Sequence, residues 1–243
     1  MSKLVKPRTN ATSAGTECAA VWLAANRPLI IRLRRTFSCH YRSHGRALPW
    51  RQTRDPYATL VAEVLLQKTG AKPVEEVWRA FMARFPDVQA VAVASVRTLQ
   101  SRVAVLGLRK RAQALSAAAR IIVQQTGGTI PADGVFLRSL PGIGSYTAAA
   151  VLSFAHGVPT AVVDVNAARV YSRIAGFQPR TLRQGLAFAQ VAAEAVVTAK
   201  THREVNYGVL DLAAQVCRPH PLCRICPCRG FCECAKLQLL PAS

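Results

Sequence analysis

The sequence predicts an all-α protein. Apolar residues recur three and four positions apart along most of the chain, only residues 160–163 read as extended, and the breakers Gly127-Gly128 and Gly157-Val158-Pro159 fall between periodic segments. So short an extended stretch does not found a sheet. No internal repeat of roughly 20–50 residues is visible, which argues against a solenoid.

The periodic segments, in order, are 28–41, 57–69, 73–85, 96–104, 110–125, 134–140, 146–155, 166–175, 182–199 and 203–217. Pro28 and Pro73 suit first turns, where the missing N–H has no partner to lose. Ser95 supplies a side-chain acceptor for the helix that follows it. A helix ending at Leu140, the turn Pro141-Gly142-Ile143-Gly144 and a helix from about Ser145 form a helix-hairpin-helix. Its glycines permit positive φ and a close approach to the backbone, and the first N–H groups of the second helix point outward, toward an anion. Such a turn grips a phosphate without reading a base; it also serves as a plain corner between helices.

A chain of 243 residues has room for one large domain or two small ones and buries a core without disulfides. The apolar run at 146–155 is about half of the roughly 20 residues a membrane span needs. Residues 1–16 are polar and basic with no apolar centre, the composition of a disordered basic arm and not of a secretory signal. The formal charge is +20, with 32 Lys and Arg against 12 acids, and it is concentrated at the N-terminal end, where residues 1–54 hold one acid, Glu17. An anionic polymer is the matching partner.

Two carboxylates stand out. Asp164 precedes a helix starting near Asn166, where it caps the helix and also lies within reach of a site near the hairpin. Glu63 sits in the apolar stretch "LVAEVLLQKTGA"; on a solvated face it has no special role, whereas burial would raise its pKa toward general-acid duty.

The segments "LPWRQTRDPYATLVAEVLLQKT" (48–69), "LGLRKRAQAL" (106–115), "LPGIGSYTAAAVLSFAHGVPTAVVDVNAARV" (140–170) and "VNYGVLDLAAQVC" (205–217) resemble the helix-hairpin-helix DNA glycosylases, in the branch that holds the adenine and thymine-mismatch enzymes. The resemblance spans about residues 28–232. It implies two helical lobes with DNA bound across the cleft. Residues 17–54 with 157–234 would form an iron–sulfur cluster lobe, 55–156 a helical lobe with the hairpin, and 235–243 a tail, with Asp164 at the seam.

Six of the eight cysteines lie from Cys217 to Cys234, and Cys217, Cys223, Cys226 and Cys232 are separated by five, two and five residues. The resemblance implies that these four hold a [4Fe–4S] cluster, although the family commonly has six residues in the first gap. Cys228 and Cys234 are alternative ligands, and zinc is the alternative metal. The cluster's implied role is structural, fixing a loop with Arg218, Arg224 and Arg229 against DNA.

The resemblance also implies the chemistry. Hydrolysis of an N-glycosidic bond passes through an oxocarbenium-like sugar, which calls for a carboxylate beside the cation and an acid at the departing base. Asp164 takes the first task and Glu63 the second or the orienting of water; Tyr146 lines the base pocket and Asn166 positions Asp164 or the water. Bifunctional relatives place a Schiff-base lysine where Tyr146 stands, and a phenol forms no imine, so a hydrolase with little or no strand cleavage is expected. The target base is flipped out, and Gln67-Lys68-Thr69 fills the gap. Lys68 resembles the thymine-mismatch branch, or is a plain phosphate contact. Trp50 stacks at the pocket or belongs to the core; Asp211 matches a carboxylate near the substrate pocket or meets a buried contact; Arg51, Gly142 and Gly144 complete the DNA-binding set. The expected protein is a monomeric, cytoplasmic, nucleoid-associated glycosylase acting on double-stranded DNA with a mispaired base, with no membrane partner. Thymine or uracil opposite guanine is the expected target. Adenine in A·G or A·8-oxoG pairs, favoured by "YTAAAVLSFAHGVP" and opposed by the short stretch after the cysteines, is the alternative; DNA binding without catalysis is the third.

Overall fold

The computed structural model describes residues 11–107 and 109–238, and every regular element among them is helical. The protein is all-α. In chain order the helices are α1 (Ala11–Ala25), α2 (Arg27–His44), α3 (Pro56–Leu66), α4 (Ala71–Arg84), α5 (Val88–Val93), α6 (Val96–Val103), α7 (Arg109–Thr126), α8 (Gly134–Ser139), α9 (Ser145–Ala150), α10 (Val165–Ala175), α11 (Leu182–Val196), α12 (His202–Gln215) and α13 (Glu233–Gln238). No helix among the described residues is long and apolar enough to cross a membrane.

The chain divides into two compact units, one formed by residues up to Arg46 and from Ala161 onward, the other by Ala47–Thr160. The crossings therefore fall at 46/47 and 160/161, where 54/55 and 156/157 were expected. Apolar packing accounts for the difference. Leu48 and Trp50 are buried in the core of the second unit, Trp50 edge-on to Trp78 with centroids 6.0 Å apart, and Val158 packs on the same core; Ala161 is buried in the first.

In the first unit α1 packs on α11, α2 on α12, and α10 on both α11 and α12. Residues 11–16, expected in a disordered arm, are the start of α1; residues 1–10 of that arm lie outside the described residues. The alanine-rich segment forms a helix readily, and Gly15 lets it approach closely, since a Cβ there would stand 2.5 Å from the Gln184 carbonyl oxygen of α11. The expected tail begins inside α13, and its residues 239–243 lie outside the described set.

In the second unit α3 is the centre. Tyr57 through Val64 and Leu65 are all buried, and α4, α7 and α9 pack around them. Asp55 starts the helix by accepting from the N–H groups of Tyr57 at 2.9 Å and Ala58 at 3.3 Å, with Pro56 in the first turn. Ser95 caps α6 as its position predicts, accepting from Thr98 N–H at 3.1 Å. The expected helix 146–155 starts as α9 and widens into a π-helical turn over Val151–Ala155.

Candidate catalytic and DNA-binding elements

Asp164 is the N-cap of α10. Its Oδ1 accepts from the backbone N–H groups of Asn166 at 2.9 Å and Ala167 at 2.7 Å, and its Oδ2 from Asn166 Nδ2 at 2.6 Å. The capping role and a chemical role are compatible, because α10 presents the carboxylate at its positive end and fixes its rotamer. The amide is fixed in turn. Asn166 Oδ1 accepts from Arg169 Nη1 at 3.0 Å, and Arg169 donates through Nε to Cys217 O at 2.8 Å and through Nη2 to Ala213 O at 3.2 Å. A continuous chain of hydrogen bonds thus runs from Asp164 to the first cysteine of the C-terminal loop. Sequence reasoning missed Arg169, although its place three residues after Asn166 puts both on one face of α10.

The hairpin follows Leu140. Gly142 is left-handed at φ 77°, as a tight turn between helices demands, and Ala114 of α7 stands 2.6 Å from where a Cβ would lie. Gly144 differs: it is extended, with φ −88° and ψ −179°, caps α9, and has open space beside its Cα. Only the first glycine is needed for the backbone conformation. Gln67 Nε2 donates to Gly142 O at 3.0 Å, so the turn after α3 and the hairpin are one structure. Lys68, exposed, is left-handed at φ 57°, the only non-glycine residue with positive φ among the described residues. α3 therefore ends at Leu66, short of the expected Thr69.

Glu63 is 5% exposed, on α3 among Ala62, Val64 and the other buried residues of that helix, and Tyr146 is half-buried in the first turn of α9. Trp50 belongs to the core of the second unit, 3% exposed. Arg51 is 7% exposed, so the structure takes it off the surface where a DNA contact was expected. Asp211 is fully buried in α12 and accepts from Arg46 twice, at Oδ2 from its N–H at 3.1 Å and at Oδ1 from Nε at 2.5 Å. That pair holds the end of the first unit's N-terminal stretch, which is the buried-contact reading of Asp211.

Cys217, Cys223, Cys226, Cys232 and Cys234 line one small cavity with Arg173. Cys228 does not. It is buried in the core of the first unit, and its bond to the Cys226 sulfur pulls Cys226 down to about 7 against the opposing effect of burial. Burial pushes Cys232 up to about 11 and also raises Cys217, which Arg173 opposes from 3.6 Å. Arg173 further donates to Arg218 O at 2.6 Å and Pro219 O at 2.8 Å, shaping the loop. Among the described residues no three potential ligands stand at closed metal-binding spacing, yet a donor set made wholly of soft thiols on one cavity fits a thiolate-bound iron–sulfur group. Cys228, buried and hydrogen-bonded to the Cys226 sulfur, stands off the cavity wall, and Cys234 is a fifth thiol on it.

A family profile described as "HhH-GPD superfamily base excision DNA repair protein" matches residues 61–187. The chain belongs to that superfamily. Its members that resemble this one include the thymine/uracil-DNA glycosylase of Pyrobaculum aerophilum, 38% identical over 77% of this chain and 84% of the relative. The human adenine DNA glycosylase is 35% identical over 79% of this chain, which spans 37% of that relative. Among solved HhH-GPD folds, a thermostable thymine-DNA glycosylase superposes with a TM-score of 0.78, 28% identity and coverage of 94% of this chain and 100% of the other. Like these relatives, the chain is a DNA glycosylase, an enzyme of base excision repair.

Proposed function

We propose that the protein is a monofunctional glycosylase that releases thymine or uracil opposite guanine from double-stranded DNA. The similarity to thymine/uracil-DNA glycosylase at 38% identity, over most of both chains, carries this reading. Asp164, held by two N–H groups and Asn166, is the carboxylate that faces the oxocarbenium-like sugar. Buried Glu63 assists the departing base or orients water, Tyr146 lines the base pocket, and with a phenol at that position no imine to the sugar forms. Gly142 and Gly144 present the hairpin's N–H groups to a phosphate, and Lys68 enters the gap behind the flipped base. The protein works as a cytoplasmic, nucleoid-associated monomer.

Cys217, Cys223, Cys226 and Cys232 hold a [4Fe–4S] cluster. When bound, the cluster cross-links the loop and takes no part in the hydrolysis. Arg218, Arg224 and Arg229, all exposed on that loop, meet the phosphate backbone. The purified protein is therefore expected to be brown, to absorb broadly at about 400 nm and to carry about four irons per chain; a colourless protein with one zinc contradicts the assignment.

Incubation with duplexes carrying G·T, G·U, A·G and A·8-oxoG, with the released base identified by mass, tests the substrate. Thymine and uracil are expected from the first two. Adenine from the last two, with G·T and G·U intact, would move the protein to the adenine branch.

A further inference from the structure

Arg111 is a buried cation with no task in the chemistry above. It stands on α7, 6% exposed, and donates through Nη1 to Leu65 O at 2.6 Å and to Thr69 Oγ1 at 3.2 Å, and through Nη2 to Thr69 Oγ1 at 3.3 Å. Both acceptors are neutral, and burial lowers its pKa. A charge held in this way needs a reason.

The acceptors supply it. Leu65 lies in the last turn of α3, where carbonyls have no helical partner and carry the negative end of the helix dipole, so a guanidinium there closes the helix. Thr69 is the last residue of the turn whose middle residue, Lys68, is held left-handed. Its first residue, Gln67, is tied to Gly142 O. One turn further along α7, Ala114 packs against Gly142 itself. Arg111 and Ala114, three positions apart on one face of one helix, thus brace the Gln67-Lys68-Thr69 turn and the hairpin together.

We infer that Arg111 is a positioning residue for base extrusion: it locks the turn in the form that carries Lys68 forward, at a fixed separation from the hairpin's phosphate grip. The inference rests on the glycosylase reading. Preorganisation of this kind affects the step in which the gap is filled and leaves phosphate binding alone. Arginine suits the task because its planar fork spans two acceptors, which a lysine ammonium does less well.

The test separates extrusion from grip. Stopped-flow fluorescence of 2-aminopurine beside a G·U pair reports extrusion, and anisotropy on a fully matched duplex reports grip. Arg111→Met is expected to bind the matched duplex as the parent does but to extrude on the order of tenfold more slowly, with Arg111→Lys between. Parental extrusion in a well-folded Arg111→Met overturns the inference, as does a loss of matched-duplex binding equal to the loss of extrusion. Should Arg111→Met fail to melt cooperatively, Arg111→Lys decides, since it keeps the charge and loses the fork: parental extrusion by a folded Arg111→Lys overturns the inference. A parent that releases no base from any mispair defeats the glycosylase reading itself, a result distinct from an active parent with an indifferent Arg111.

Discussion

Asp164→Asn is expected to bind a G·U duplex within a few-fold of the parent and to release base on the order of 100- to 1,000-fold more slowly, or worse. The two effects separate because, in the proposed function, the residue both caps a helix and faces the sugar. As the cap of α10 it accepts from the N–H groups of Asn166 and Ala167 through Oδ1, and an asparagine oxygen does the same. What asparagine cannot supply is a negative charge beside the sugar. A secondary cost is foreseeable at Oδ2, which accepts from Asn166 Nδ2; an amide there turns Asn166 around and takes the acceptor from Arg169, at about 1 kcal/mol of stability. Single-turnover base release, with a melting curve for the fold, measures both. Binding and release that fall together would make Asp164 a helix cap and nothing more.

Gly144→Asp is expected to weaken every duplex alike, by about tenfold or more at low salt, with the preference among mispairs unchanged. The structure makes this variant a clean probe. Gly144 is extended, its Cβ would meet open space, and aspartate is a favoured N-cap for α9, so the fold should hold or gain slightly. If the hairpin N–H groups grip a phosphate as proposed, the added carboxylate occupies its place. Gly142 offers no such probe, because a side chain there meets both a left-handed backbone and Ala114. A folded Gly144→Asp that binds nonspecific duplex as tightly as the parent would reduce the hairpin to a corner between helices.

Most of the fold was legible because local rules and tertiary packing agree. The caps at Ser95 and Asp164, the prolines of the first turns and the glycine hairpin all stand where residue chemistry places them. α1 was not legible, because an alanine-rich stretch has little contrast between faces and its partner, α11, lies far away in sequence. α5 is too short to show a period, although Asp87 caps it. The chain crossing at 46/47 depends on Trp50 meeting Trp78, and the left-handed Lys68 on bonds from Gln67 and Arg111 to distant or neighbouring backbone. Cysteine spacing pointed to four thiols, but that Cys234 joins them on the cavity wall while Cys228 stands off it depends on how the loop folds.

In the proposed reaction, carboxylates hydrolyse the glycosidic bond without a lysine adduct. The most direct measurement incubates the protein with a labelled G·U duplex in the presence and absence of borohydride, then divides the product for analysis with and without alkali. Free uracil, a strand that stays intact until alkali is added, and no protein–DNA adduct trapped by borohydride are expected. A strand cut without alkali together with a trapped adduct would show a lysine acting as nucleophile and contradict the proposed reaction.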